Sequence, residues 1–136
     1  MSELTGSPFE QLDFLYSPSR DVARDMEHFT KLMGGRLLFA VEAMGARVAA
    51  IRLTPGPPLI LLADHIDGQA PILVYRVHDL DEELSRLERR GMKREMTFEI
   101  PHGPCCSFRT PGGHRIALYQ LSRPQAATHF EGRRDF

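Results

Sequence analysis

Apolar positions along this chain follow two rhythms, and each rhythm occurs twice. Alternating or continuous apolar runs at Leu12–Ser17, Arg36–Glu42, Arg47–Leu53 and Leu59–Ala63 predict strands. Between the first two runs, Val22, Met26, Phe29 and Met33 lie on one face of a helix. Ser19 or Asp21 can cap that helix, and Gly34 and Gly35 stand where a left-handed residue ends it. Turn chemistry at Met44-Gly45 and at Pro55-Gly56-Pro57-Pro58 separates the later strands. The first half therefore reads βαβββ.

The second half repeats the order. Ile72–Val77 predicts a strand, Asp79 a helix cap with Glu82 as its capping-box partner, and Leu80, Leu84 and Leu87 an apolar stripe that Gly91 terminates. Lys93–Ile100, Cys105–Thr110 and Arg115–Leu121 supply three more strands. Pro101-His102-Gly103-Pro104 is predicted as a loop and Pro111-Gly112-Gly113 as a hairpin turn. Aligning Asp21 on Asp79 gives a period of 58 residues, with the terminating glycine 13 residues on in one half and 12 in the other. A period this long points to a duplicated half-domain rather than a solenoid. The predicted class is α+β, one domain over residues 12–121 made of modules at about 12–63 and 71–121. An N-terminal arm (1–11) and a C-terminal tail (122–136) flank it, the tail carrying Phe130 and Phe136 as anchors onto the domain's edge or across a subunit interface.

Composition narrows the function classes. With 136 residues, 42% of them hydrophobic and 26% charged, and a net charge of −1, the chain is an ordinary globular one whose charge argues for neither a nucleic-acid nor an anionic-membrane partner. No apolar run approaches the ~18–20 residues of a membrane span. The two cysteines are neighbours, Cys105 and Cys106, and point to opposite faces of a strand, so they form no disulfide framework. Without the signs of a secretory leader, the expected compartment is cytoplasmic.

Two βαβββ modules, each with an Asp helix start and a Gly helix stop, and a closing Phe108-x-x-Pro111-x-Gly113-x-x-Ile116-x-Leu118 hairpin resemble the vicinal oxygen chelate superfamily of glyoxalases, extradiol dioxygenases and bleomycin-resistance proteins. The resemblance implies mixed sheets curled into a cup with helices on the convex side, a ligand in the concavity and a homodimeric assembly. It also implies metal ligands on the first and last strands of each module. Those positions map to Phe14 and Ile72, seven residues before the helix-start aspartates, and to Ala117 and about Leu61. None of them offers the nitrogen or oxygen a divalent ion needs, so the site is expected to hold no metal and no cofactor. A one-residue slip would turn Asp13 inward, at the cost of reversing the strand's apolar alternation.

If Phe14, Ile72 and Ala117 face the cup, period two adds Tyr16, Arg76, Arg115 and Tyr119, and on the neighbouring strand Cys105, Ser107 and Arg109. These ten residues are the candidate ligand-binding set. An apolar floor rimmed by phenols and guanidinium groups suits a small aromatic or anionic molecule. His102 and Cys105, three residues apart and near Glu99, are the candidates for nucleophilic or metal chemistry. Three functions follow: a metal-free binder of a small organic molecule; a metal-dependent lyase, isomerase or dioxygenase of the glyoxalase type; or an interaction module with a filled cup. No phosphate loop, nucleophile elbow or dinucleotide fingerprint is present.

Overall fold

The first strand, β1 (Phe9–Pro18), begins three residues before its apolar run does. The computed structural model describes residues 7–136, so the first six positions of the predicted arm lie outside the described residues, while its last three are strand. Asp21 then caps α1 (Val22–Glu27), its carboxylate accepting from the Arg24 amide at 3.1 Å. Ser19 serves differently, donating its hydroxyl to Asp25 at 2.6 Å.

The predicted stripe of this helix holds for Val22 and Met26, both buried against Ala40, Ala49, Ile51 and Leu62. It fails at its end: Met33 is 53% exposed and Leu32 is 73% exposed. The cause is a π-helical turn over His28–Leu32, whose wider winding moves later side chains out of phase with an ideal stripe. Gly34, at φ 80°, ends the segment.

Strands β2 (Arg36–Ala43), β3 (Ala46–Arg52) and β4 (Leu59–Ala63) complete the first module. The second consists of β5 (Ile72–Val77), α2 (Leu80–Arg89), β6 (Met96–Ile100), β7 (Gly103–Arg109) and β8 (Arg115–Gln120). β6 starts three residues later than predicted, and β7 takes in Gly103 and Pro104, so the predicted four-residue loop is a tight turn at Pro101-His102.

All eight strands form one curled mixed sheet in the order β2-β3-β4-β1-β5-β8-β7-β6. β1 and β5 pair antiparallel at the centre, and each pairs in parallel with the last strand of its own module. The duplication visible in the sequence is thus a two-fold arrangement about the β1–β5 seam. Both helices lie on the convex face, α1 over β2–β4 and α2, through Leu80 and Leu84, over Val77, Cys106 and Leu118. The concave face carries a third cluster drawn from both modules.

Beyond β8 the tail folds back on the same chain. A short helix, α3 (Ala126–Phe130), places Phe130 against Phe39 at 5.6 Å, and Phe136 lies under the Arg47 guanidinium at 4.8 Å. The Ala40 amide donates to Arg133 O (2.9 Å) and the Asp135 amide to Ala40 O (2.7 Å), so the tail covers the β2 edge. That edge would otherwise present unpaired backbone groups.

Candidate functional site

The register expected for the cup holds. Phe14, Leu61, Ile72 and Ala117 all join the concave cluster and are 4%, 3%, 2% and 0% exposed. Asp13 is nevertheless inside as well. The β1–β5 register breaks between Leu12 and Phe14, and this bulge lets two consecutive residues address the concave side without reversing the rest of the strand. Asp13 is 8% exposed. Its carboxylate accepts from the Tyr119 hydroxyl and from Gln11 Nε2 at 2.6 Å. Arg76 Nε lies 3.8 Å from Asp13 and the same distance from Glu10. Burial, reinforced by the adjacent Asp13 carboxylate, pushes the Tyr119 phenol far above its ordinary range, so it acts as a fixed donor.

This network forms one wall of a cleft. A lobe of about 270 Å³ is lined by Gln11, Asp13, Phe14, Arg52, Leu59 and His102, together with Tyr119 and Leu121. A second lobe of about 200 Å³ shares Phe14, Arg52, Leu59 and His102 and extends along Leu38 and Phe39 to Glu131 of the tail. His102 is placed by its turn: the Ser122 and Arg123 amides donate to His102 O at 3.1 and 2.9 Å, and Arg123 Nε donates to Pro101 O at 3.0 Å. Its ring packs on Phe14 at 5.0 Å, it is 9% exposed, and its Nδ1 is buried without a partner.

Burial lowers the His102 pKa below 6.5, assisted by Arg123 and opposed by Asp13. An unfolded imidazole takes up its proton as pH falls through about 6.5, whereas the folded one resists, so stability drops as the medium becomes acidic. Urea unfolding at pH 7.5 and 5.5 will show a smaller loss in His102→Gln than in the unsubstituted protein. An equal loss in both would remove His102 from the cause.

The residues singled out from the sequence separate into groups. Phe14 and Tyr119 line the cleft, while Ala117 lies wholly buried in the concave cluster. Tyr16 is buried in that cluster too, its hydroxyl 3.5 Å from His65 Nε2 and its pKa pushed up to about 12 by desolvation. Ile72, Ser107 and Arg115 border a separate pocket of about 120 Å³, where Arg115 Nη1 donates to Asp67 O at 2.6 Å and to Ala70 O at 3.4 Å. Arg76 turns to Glu10 and Asp13. Arg109 is exposed, pairs with Glu95 and lines neither lobe of the cleft.

Cys105 departs furthest from its predicted chemistry. It is 0% exposed and burial raises its thiol well above the ordinary value, which removes the thiolate a nucleophile or metal ligand requires. His102 packs on Phe14 and makes no hydrogen bond to Cys105 among the described residues. The cysteine is core, and the imidazole belongs to the cleft. The cleft also takes in residues outside the ten candidates, among them Asp13, brought inward by the bulge rather than by a slip of the whole strand, and Arg52. Arg52 carried a usable signal: Val48 and Ala50 face the concave cluster, and period two puts Arg52 on their side.

No protein-family model and no curated protein matches the chain. Among solved structures, methylmalonyl-CoA epimerase from Mycobacterium tuberculosis superposes with a TM-score of 0.72 over 89% of this chain and 94% of its own, at 22% identity. The chain has the vicinal oxygen chelate fold. A Streptomyces coelicolor methylmalonyl-CoA epimerase in complex with 2-nitronate-propionyl-CoA gives 0.69 over 85% and 99% at 13% identity. A catechol 2,3-dioxygenase gives 0.62 at 15% identity, covering 84% of this chain and 40% of the enzyme.

The positions at which the resemblance implies divalent-ion ligands are occupied here by Phe14, Leu61, Ile72 and Ala117. Hydrocarbon side chains cannot coordinate zinc, iron or magnesium, so these residues do not fit a metal. Among the described residues, no group of three or more His, Cys, Asp or Glu side chains is arranged to hold one elsewhere.

Proposed function

We propose that this protein binds a small organic molecule in the cleft of a cup that uses no metal. The observation that carries the reading is the character of the four positions where the fold places metal ligands, all apolar and packed into one cluster. Phe14 and Leu61 of that cluster line the cleft with Leu38, Phe39 and Leu59, and Gln11, Asp13, Arg36, Arg52, His102, Tyr119 and Glu131 supply its polar groups. Apolar walls with convergent polar groups are the usual make-up of a small-molecule site, and the two lobes together reach the lower part of the ~300–1,000 Å³ range of such sites. A molecule of one or two rings matches that size.

The test is a ligand-observed NMR screen of one- and two-ring aromatic compounds, including 2-naphthamide, on the unsubstituted protein and on Leu59→Trp. Leu59 borders both lobes, and the larger indole fills the space between them. Compounds that bind the unsubstituted protein and lose binding in the folded variant support the cleft. Hits that bind both equally, or no hits at all, would sink the proposal. Homodimerisation is part of the same reading, since half-barrel cups of this fold commonly assemble in pairs, and native mass spectrometry at micromolar concentration reads it directly.

A further inference from the structure

Each arginine that the sequence nominates for ligand contact is committed within the chain: Arg76 to Glu10 and Asp13, Arg109 to Glu95, and Arg115 to the carbonyls of Asp67 and Ala70. Arg52 is different. It stands at the end of β3, lines both lobes of the cleft and has no carboxylate within ion-pair distance among the described residues. Its Nη1 reaches Gly56 O at 3.4 Å and Pro55 O at 3.5 Å, long contacts that point this side of the guanidinium toward the following turn. Nε and Nη2 make no hydrogen bond among the described residues. The free N–H edge of this planar fork is a ready donor site for a carboxylate.

The other charges facing the cleft are already balanced. Asp13 takes its donors from Tyr119 and Gln11 with Arg76 nearby, and Glu131 lies 3.5 Å from Arg36. Arg36 sits directly across the β2–β3 ladder from Arg52, so this rim holds two guanidinium groups and one carboxylate, and that carboxylate pairs with Arg36 alone. One positive charge is left over. A monoanion neutralises it, whereas a dianion such as a phosphate monoester would meet Asp13 and Glu131 with a surplus negative charge. Across the cleft, the His102 imidazole packs beside the Phe14 ring and lines both lobes, which presents two ring systems opposite Arg52.

We infer that the cleft takes an aromatic monocarboxylate, its carboxylate on Nε and Nη2 of Arg52 and its ring against Phe14 and His102. This rests on the reading of the cup as an organic-ligand site and names the class of molecule it holds. A ring on Phe14 and His102 gains the stacking and area burial of an aromatic pair, and the carboxylate supplies orientation.

Calorimetric titration of the full chain with 2-naphthoate and with its neutral isostere 2-naphthamide, at low ionic strength, tests it. The acid will bind about tenfold or more tightly than the amide, the effect of one charge-assisted fork contact. In Arg52→Met the ratio of acid to amide affinity falls to about one, and Arg52→Lys, which keeps the charge but loses the fork, retains only part of the preference. Thermal unfolding confirms that each variant is folded. Equal affinity for acid and amide in the unsubstituted protein, or a preference that survives Arg52→Met, overturns the inference and leaves the organic-ligand cup standing. If neither compound binds while the fragment screen also finds nothing, both readings fall together.

Discussion

Gly103→Ala will unfold this protein or cost it more than about 4 kcal/mol, the range reserved for severe backbone conflicts. A Cβ at position 103 would lie 1.9 Å from the carbonyl oxygen of Gln120 and 3.0 Å from Ser122 Oγ. The first of these is backbone, so no rotamer change relieves it. β7 would have to separate from the end of β8, where the Ser122 and Arg123 amides hold the turn that carries His102. Gly112→Ala, in the hairpin at the opposite end of β7, is the matched control, because its Cβ would meet only a His114 ring carbon at 3.9 Å. Urea denaturation should show Gly112→Ala within about 1 kcal/mol of the unsubstituted protein. Comparable stability of the two variants would mean that the turn is held less closely than described.

The second large effect belongs to Asp13. Replacing it with alanine leaves the Tyr119 hydroxyl, on a residue only 1% exposed, without an acceptor. The same change removes one of the two carboxylates near Arg76, whose buried Nε already makes no hydrogen bond. Unsatisfied buried donors of this kind cost about 1–3 kcal/mol each, more beside a charge, so Asp13→Ala should lose about 3 kcal/mol. Tyr119→Phe removes the donor together with the need for it and should lose less. In the double variant the two losses will not add, and the coupling measured by the cycle is the worth of the Tyr119–Asp13 contact. Additive losses would show that the two side chains do not act on each other.

What could be read from the sequence was whatever depends on local chemistry. The bounds of β4 and β5 fall where Pro58 and Pro71 precede strong apolar runs, and Asp21 and Asp79 cap their helices because the residue type and spacing suffice. The concave register followed from period two and from the fold resemblance, and Phe14, Ile72 and Ala117 take the side expected of them.

The misses have a common physical cause, dependence on partners distant in sequence. Met33 is exposed because a π turn shifted the helix phase. Asp13 points inward because β1 bulges against β5, and a bulge is a property of two strands together. Arg109 and Arg115 were correctly seen as strand cations, but Glu95 and the Asp67–Ala70 loop claim them first. The pairing of His102 with Cys105 followed from their closeness in sequence. It failed because the strand takes one side chain into the core while the turn sends the other into the cleft.

The proposal that the cup works without a metal is tested most directly by a calorimetric titration of the chelator-treated protein with zinc, manganese, nickel and ferrous iron. Native mass spectrometry of untreated protein runs beside it. The apolar set of Phe14, Leu61, Ile72 and Ala117 predicts no saturable binding in the micromolar range and a native mass accounted for by polypeptide alone, or by polypeptide with a small organic adduct. One equivalent of divalent metal per chain, bound tightly and retained in the native spectrum, would contradict the account and require donors other than those the cup presents.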